Sequence, residues 1–241
     1  MKHQLAIFDL DGTILDTLED LADSLNHALE WAGYPKRTLE EVRSFVGDGM
    51  LMLVKRALPE NVRNTAGQIL PENAGSAAEQ MQPENADADA EAERVLAELK
   101  AYYKIHCADK TKPYEGILEL LQTLKAAGYK LAVVSNKADY AVQILCEQYF
   151  KGIFDLAVGE REGVRKKPAP DAVNAVLEAL QIPRELAVYI GDSEVDIMTA
   201  ENAGMEGILV SWGFREAAFL QERGAKRIVA TTAELEKVLM E

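Results

Sequence analysis

Cysteine, long apolar runs and positive charge are all scarce in this chain of 241 residues, and each scarcity excludes a class of protein. The two cysteines, Cys107 and Cys146, match no metal-ligand spacing and cannot build a disulfide framework. In a chain this size they read as free thiols in a reducing compartment, more often buried than reactive. No apolar stretch approaches the roughly 18 residues that a membrane span requires. The run Leu5–Phe8 is the only apolar segment ahead of the first carboxylates, too short for a secretory signal. A soluble, cytoplasmic protein with no membrane partner is expected. Lys+Arg number 26 against 40 Asp+Glu, a net charge of −14. A surface that acidic repels a phosphate backbone at long range and speaks against nucleic acid as a partner. By the same reasoning, a phosphorylated substrate needs a local cation or a metal to hold it.

What is present is globular. Hydrophobic residues are 48% and charged residues 27%, and the length suits one large or two modest domains with a real core. Short apolar runs at Leu5–Phe8, Leu131–Val134, Phe154–Val158, Leu186–Ile190, Gly207–Val210 and Ile228–Ala230 suit strands covered on both faces, as in a parallel sheet. Helical patterns lie between them: Ile117–Leu124, with a C-cap expected at Gly128, then Ala141–Tyr149, Asp171–Leu180, Val195–Ala203 and Ala233–Met240. Repeated βα units predict an α/β fold with a doubly wound parallel sheet.

The first strand is not followed by a second. Leu18, Leu21, Ala22, Leu25, Ala28, Leu29 and Ala32 repeat at helical spacing up to Gly33 and Pro35. Thr38 with Glu41 forms a capping box ahead of Val42 and Phe45. Val95, Leu96, Leu99, Tyr102 and Tyr103 mark a further helix. Residues 16–108 therefore read as a helical domain inserted into a core formed by 1–15 and 109–241. Inside it, Pro-Glu-Asn recurs at 59, 71 and 83 with Ala66, Ala78 and Ala90 in register. From 59 to 93 the only large apolar residues are Val62, Ile69, Leu70 and Met81, too few to offset ordering entropy by burial. Each proline can open a short helix, or the segment is a weakly ordered excursion.

Four polar signals each follow a different predicted strand, and in a parallel sheet those strand ends share the edge where ligands bind. Asp9 and Asp11, in Asp-Leu-Asp-Gly-Thr, leave the first strand pointing the same way, and two carboxylates that close require a cation or a shared proton. Ser135-Asn136-Lys137 supplies a hydroxyl and the backbone N–H groups of a following helix, suited to phosphate oxygens or to an ordinary N-cap. Arg165-Lys166-Lys167-Pro168-Ala169-Pro170 is a basic cluster with proline-fixed backbone, from which one lysine can act as a point cation. Gly191-Asp192-Ser193-Glu194-Val195-Asp196 places Asp196 one helical turn beyond Asp192. An oxygen-rich cluster of this kind, completed by water and phosphate, is how Mg²⁺ is held.

The order of these motifs resembles the haloacid dehalogenase superfamily, with its phosphoglycolate phosphatases and their relatives as the nearest likeness. The resemblance covers residues 1–16 and about 112–241, and the insertion sits where that family places a helical cap. Phe45-Val46-Gly47-Asp48-Gly49 is similar to the glycine-containing cap segment of those phosphatases. The resemblance implies a Rossmann-like core, Asp9 as the nucleophile that becomes aspartyl-phosphate, and Asp11 as general acid and then base. It implies Ser135 and Lys167 on the phosphoryl oxygens, with Thr13 and Asn136 beside them. Mg²⁺ would lie on Asp9, Asp192 and the backbone carbonyl of Asp11, with Asp196 in support. An aspartate at position 11 argues against the dehalogenase branch, which needs no such proton donor.

A Mg²⁺-dependent phosphomonoesterase acting on a small phosphorylated metabolite is therefore expected, with 2-phosphoglycolate the leading substrate and a monomer or homodimer as the working form. A sugar-phosphate mutase, whose relatives often carry Val or Ile in place of Thr13, and a pyrophosphatase share the machinery. A non-catalytic binding module has no need of so costly a carboxylate cluster.

Overall fold

The computed structural model describes residues 2–63 and 83–241. Strand β1 (Leu5–Phe8) lies inside a six-stranded sheet because all four of its residues are apolar and both of its faces are covered. After it come β2 (Leu15–Asp16), the helices α1 (Leu18–Trp31), α2 (Leu39–Phe45), α3 (Met50–Ala57), α4 (Glu60–Arg63) and α5 (Pro83–His106), and β3 (Lys112–Pro113). The remainder alternates: α6 (Ile117–Ala126), β4 (Lys130–Ala138), α7 (Asp139–Tyr149), β5 (Leu156–Glu160), α8 (Asp171–Leu180), β6 (Ala187–Gly191), α9 (Glu194–Asn202), β7 (Glu206–Val210), α10 (Ala217–Glu222), β8 (Ile228–Val229) and α11 (Thr232–Met240). The sheet order is β5-β4-β1-β6-β7-β8, parallel at every pairing. Strand β1 pairs Phe8 with Val133 on one side and with Ile190 on the other.

Strand periodicity divides the core. Ala6 and Phe8 pack with Leu121, Val142 and Leu235 under α6, α7 and α11. Leu5 and Ile7 face the opposite way, onto Val173, Val176 and Ala200 of α8 and α9. Helix α6 ends at the expected place: Gly128 takes φ 94 and its N–H bonds to Lys125 O. Both cysteines are buried and free, and burial pushes the Cys146 thiol up to about 12. No described helix is long and apolar enough to cross a membrane.

The helices between β2 and β3 have a core of their own, in which Leu21, Leu25 and Leu29 of α1 meet Leu53 and Val54 of α3 and Val95 and Leu99 of α5. The capping box at Thr38 and Glu41 forms as the residues dictate. At the neck, β2 and β3 pair antiparallel, Leu15 opposite Pro113 and Asp16 opposite Lys112, so the two ends of the insertion enter and leave side by side. The third Pro-Glu-Asn copy corrects the expectation of a short helix or weakly ordered excursion: its residues open α5, which runs 24 residues. Ala88 and Ala92 are buried, and a segment rich in Ala and Glu propagates readily from a second half anchored by Val95 and Leu99. The middle copy, 71–82, and residues 64–70 of the first lie outside the described residues.

Candidate active site

The ends of β4, β1 and β6 lie side by side, and the chain leaving each carries polar groups into one place. Asp9 follows β1 directly. One of its oxygens, Oδ1, accepts the Leu10 N–H at 2.7 Å and faces Lys167 Nζ at 2.9 Å. Burial, opposed by Lys167 and reinforced by Asp196 and Asp11, pushes the Asp9 carboxyl up to about 7.

Lys167 is the buried lysine of the basic cluster. Its ammonium also reaches Asp196 Oδ1 at 2.8 Å and the Tyr189 hydroxyl at 3.1 Å. Burial opposes that charge, but Asp196 and Asp9 outweigh it and hold the lysine well above its ordinary value. Asn136 pins the Lys167 backbone from both sides, accepting its N–H at 2.8 Å and donating to its carbonyl at 3.0 Å. Lys166 points elsewhere: its Nζ donates to the Asp48 carbonyl at 2.7 Å.

Asp192 and Asp196 occupy the β6–α9 turn. Asp196 is fully engaged: Oδ2 accepts the N–H groups of Asp192 and Ser193 and the Ser193 hydroxyl, while Oδ1 accepts from Lys167 and Tyr189. Asp192 receives the Phe214 N–H at 2.7 Å and the Thr13 hydroxyl at 3.2 Å. Burial, together with Asp196 and Asp9, raises the Asp192 carboxyl well above the usual range. The Thr13 hydroxyl thus orients a carboxylate. Gly12 turns the chain with φ 81, and a Cβ there would lie 2.2 Å from Asp192 Oδ2, which explains glycine at this position of the motif.

Oxygens of Asp9, Asp192 and Asp196 all lie within 4.8 Å of one another. Among the described residues Lys167 is the one ammonium beside these three carboxylates, which leaves negative charge uncompensated in a buried site. A hard divalent cation on oxygen ligands meets that need. Since Asp196 has no oxygen to spare, Asp9 and Asp192 are the side chains that fit it.

The Ser135–Lys137 segment departs from the expected helix start. Strand β4 continues through it to Ala138, with a register irregularity after Val134, and α7 begins only at Asp139. Ser135 is therefore neither an N-cap nor backed by the N–H groups of a helix start. It lines the cavity above Asp9, and its Oγ accepts the Lys137 N–H at 3.3 Å. Lys137 carries an unanticipated contact: its Nζ lies 2.7 Å from Asp11 Oδ1 and 4.7 Å from the centre of the Tyr103 ring of α5. Thr17 donates to the same Asp11 oxygen at 2.7 Å.

The helical insertion closes over this floor. The carbonyls of Val46, Gly47 and Asp48 accept from Arg215, Asn136 and Lys166, and Arg215 also donates to Arg43 O at 2.9 Å while Glu194 braces its Nε at 3.1 Å. The cavity between them is about 50 Å³, with Asp9, Asp11 and Asp192 on one side and Leu21, Met50 and Leu53 on the other. Nothing local marks Arg215, and Lys137 was legible as part of Ser-Asn-Lys but not by its partner: each acts across more than a hundred residues of sequence.

The haloacid dehalogenase-like hydrolase family model matches residues 6–210. The phosphoglycolate phosphatase of Psychrobacter arcticus is 35% identical over 215 residues, 89% of this chain and 86% of that protein. A crystal structure of a candidate phosphoglycolate phosphatase from Lactobacillus delbrueckii subsp. bulgaricus is 44% identical and superposes with a TM-score of 0.84 over 99% of both chains. The crystal structure of CbbY from Rhodobacter sphaeroides in complex with phosphate is 26% identical, with a TM-score of 0.67 over 97% of this chain and 96% of that one.

Proposed function

The chain belongs to the haloacid dehalogenase-like hydrolases and is a phosphatase, and from that premise we propose that it is a Mg²⁺-dependent phosphomonoesterase whose preferred substrate is 2-phosphoglycolate, acting in the cytoplasm. The observation that carries the reading is the arrangement of Asp9: a buried carboxylate with one oxygen held by Leu10 N–H and Lys167 and the other left to react. The shared name of several relatives supports the substrate. Residues 1–15 and 109–241 form the catalytic core in this reading, and 16–108 the cap.

In the first step Asp9 Oδ2 attacks phosphorus, the bond to the leaving oxygen breaks, and Asp11 gives that oxygen its proton. In the second, Asp11 takes a proton from water, which attacks the phosphorus of aspartyl-phosphate and frees Asp9 and inorganic phosphate. Lys167 draws the phosphoryl oxygens toward Asp9 and offsets the charge that develops on them, joined by the Ser135 hydroxyl. Asn136 holds Lys167 by its backbone, and Asp196 anchors its ammonium. Asp9, Asp192 and the Asp11 carbonyl would hold Mg²⁺, which when bound screens the two anions from each other.

Phosphate release from a panel of metabolites, with and without Mg²⁺, tests the reading. Chelation is expected to abolish turnover and Mg²⁺ to restore it, with 2-phosphoglycolate the best substrate. Full activity in chelator, or a sugar phosphate preferred over 2-phosphoglycolate, contradicts it.

Arg215 ties the core to the cap segment through two of its carbonyls. Its replacement by alanine removes two hydrogen bonds from a charged donor to cap carbonyls, each worth about 1.5–3 kcal/mol, and so biases the cap toward opening. KM for the preferred substrate is expected to rise by about tenfold or more and kcat to change less. An unchanged KM removes Arg215 from cap positioning.

A further inference from the structure

The Lys137 ammonium is buried 2.7 Å from Asp11, the residue assigned to protonate the leaving oxygen, and none of the chemistry above uses it. We propose that Lys137 is the specificity-determining cation for the leaving group: it binds a carboxylate carried by the substrate's alcohol, so the enzyme selects phosphate esters of small 2-hydroxy acids over those of neutral alcohols. The proposal rests on the phosphatase reading and deepens it.

Position is the first argument. Asp11 Oδ1 is taken by Lys137 and Thr17, both at 2.7 Å, so the proton passes through Oδ2. The leaving oxygen must come within about 3 Å of that atom. In a 2-hydroxy acid the carboxylate carbon is two bonds from that oxygen, which brings its oxygens within reach of an ammonium already beside Asp11. An ammonium has three donors, Asp11 uses one, and the Tyr103 ring lies 4.7 Å away, so Lys137 keeps donor capacity on a wall of the cavity.

Charge is the second. Asp9, Asp11 and Asp192 make this floor hostile to an anionic leaving group. Arg215 also lines the cavity, but its three nitrogens are engaged by Glu194, Arg43 O and Val46 O. Leu21, Met50 and Leu53 line the other side with apolar surface, which strengthens any charge pairing formed there. Lys137 alone of the lining residues brings a cation to the Asp11 side of the cavity.

The test compares 2-phosphoglycolate with ethylene glycol monophosphate, its neutral two-carbon counterpart, in wild type, Lys137→Met and Lys137→Arg. Wild type is expected to prefer the anionic ester. Lys137→Met should lower kcat/KM for 2-phosphoglycolate on the order of a hundredfold, the scale of losing one partner of a buried charge pair, and lower it far less for the neutral ester. Lys137→Arg should retain the preference. An equal fall on both esters shows that Lys137 only supports Asp11 and overturns the proposal, leaving the phosphatase reading intact. Failure of wild type to hydrolyse 2-phosphoglycolate at all is instead a failure of the substrate assignment and takes this proposal with it. Should Lys137→Met not fold, inhibition of wild type by glycolate against ethylene glycol decides: at least tenfold stronger inhibition by glycolate is expected, and equal inhibition overturns the proposal.

Discussion

Asp9→Asn is expected to lower kcat by at least about 10⁴-fold, the scale seen when an enzyme loses its nucleophile, while the protein folds and melts at a higher temperature than wild type. The amide cannot form an acyl phosphate, and the neighbouring carboxylates are committed elsewhere: Asp196 is saturated by donors, Asp192 is held by Phe214 N–H and Thr13, and Asp11 is turned toward Lys137 and Thr17. The gain in stability has a definite pH dependence in metal-free protein. The Asp9 carboxyl moves from an ordinary 3.8 to about 7 on folding, mainly through burial, so the folded state binds more protons than the unfolded state between those values. Wild type should therefore lose stability relative to Asp9→Asn as pH rises from about 4 to about 7, and the difference should level off above that. Thermal melts across that range, beside kcat on any accepted phosphate ester, make the comparison. Activity within tenfold of wild type removes Asp9 from its role.

Lys167→Ala should cost about 10³-fold or more in kcat/KM, where Lys166→Ala costs less than about tenfold. Lys167 is buried and contacts Asp9, Asp196 and Tyr189, whereas Lys166 reaches the cap carbonyl of Asp48 from an exposed position. The Lys167 variant also leaves buried carboxylates without their ammonium, a loss of about 3–5 kcal/mol in stability. Lys167→Arg separates the two effects: it keeps the positive charge, which should restore most of the stability, but its planar guanidinium does not fit the point between three acceptors, so activity should stay low. An equal or larger loss at Lys166 reverses the assignment.

Much of this site was legible in the sequence because its parts are local. Asp9 and Asp11 leave an apolar run, Lys167 stands just ahead of two prolines that fix the backbone, and Asp192 with Asp196 opens a helix; the first and the last of these follow strands that are apolar and buried on both faces. What was not legible depends on long-range pairing. The neck strands β2 and β3 are two residues each and meet only because the insertion folds back on itself. Lys137 was visible as part of Ser-Asn-Lys, but its partner Asp11 is 126 positions away, and the expected helix start hid the extension of β4 to Ala138. Arg215 gave no signal either, since its acceptors are backbone carbonyls of the insertion. The third Pro-Glu-Asn copy was misjudged by composition: few large apolar residues are needed when alanines such as Ala88 and Ala92 face an already anchored helix surface.

The most direct measurement is an acid quench during turnover of an ester labelled with ³²P in its phosphoryl group, followed by mapping of the labelled peptide. The two-step mechanism predicts label on Asp9, rising before free phosphate and absent from Asp9→Asn. Label on another residue, or phosphate released while the protein stays unlabelled at every time point, contradicts it.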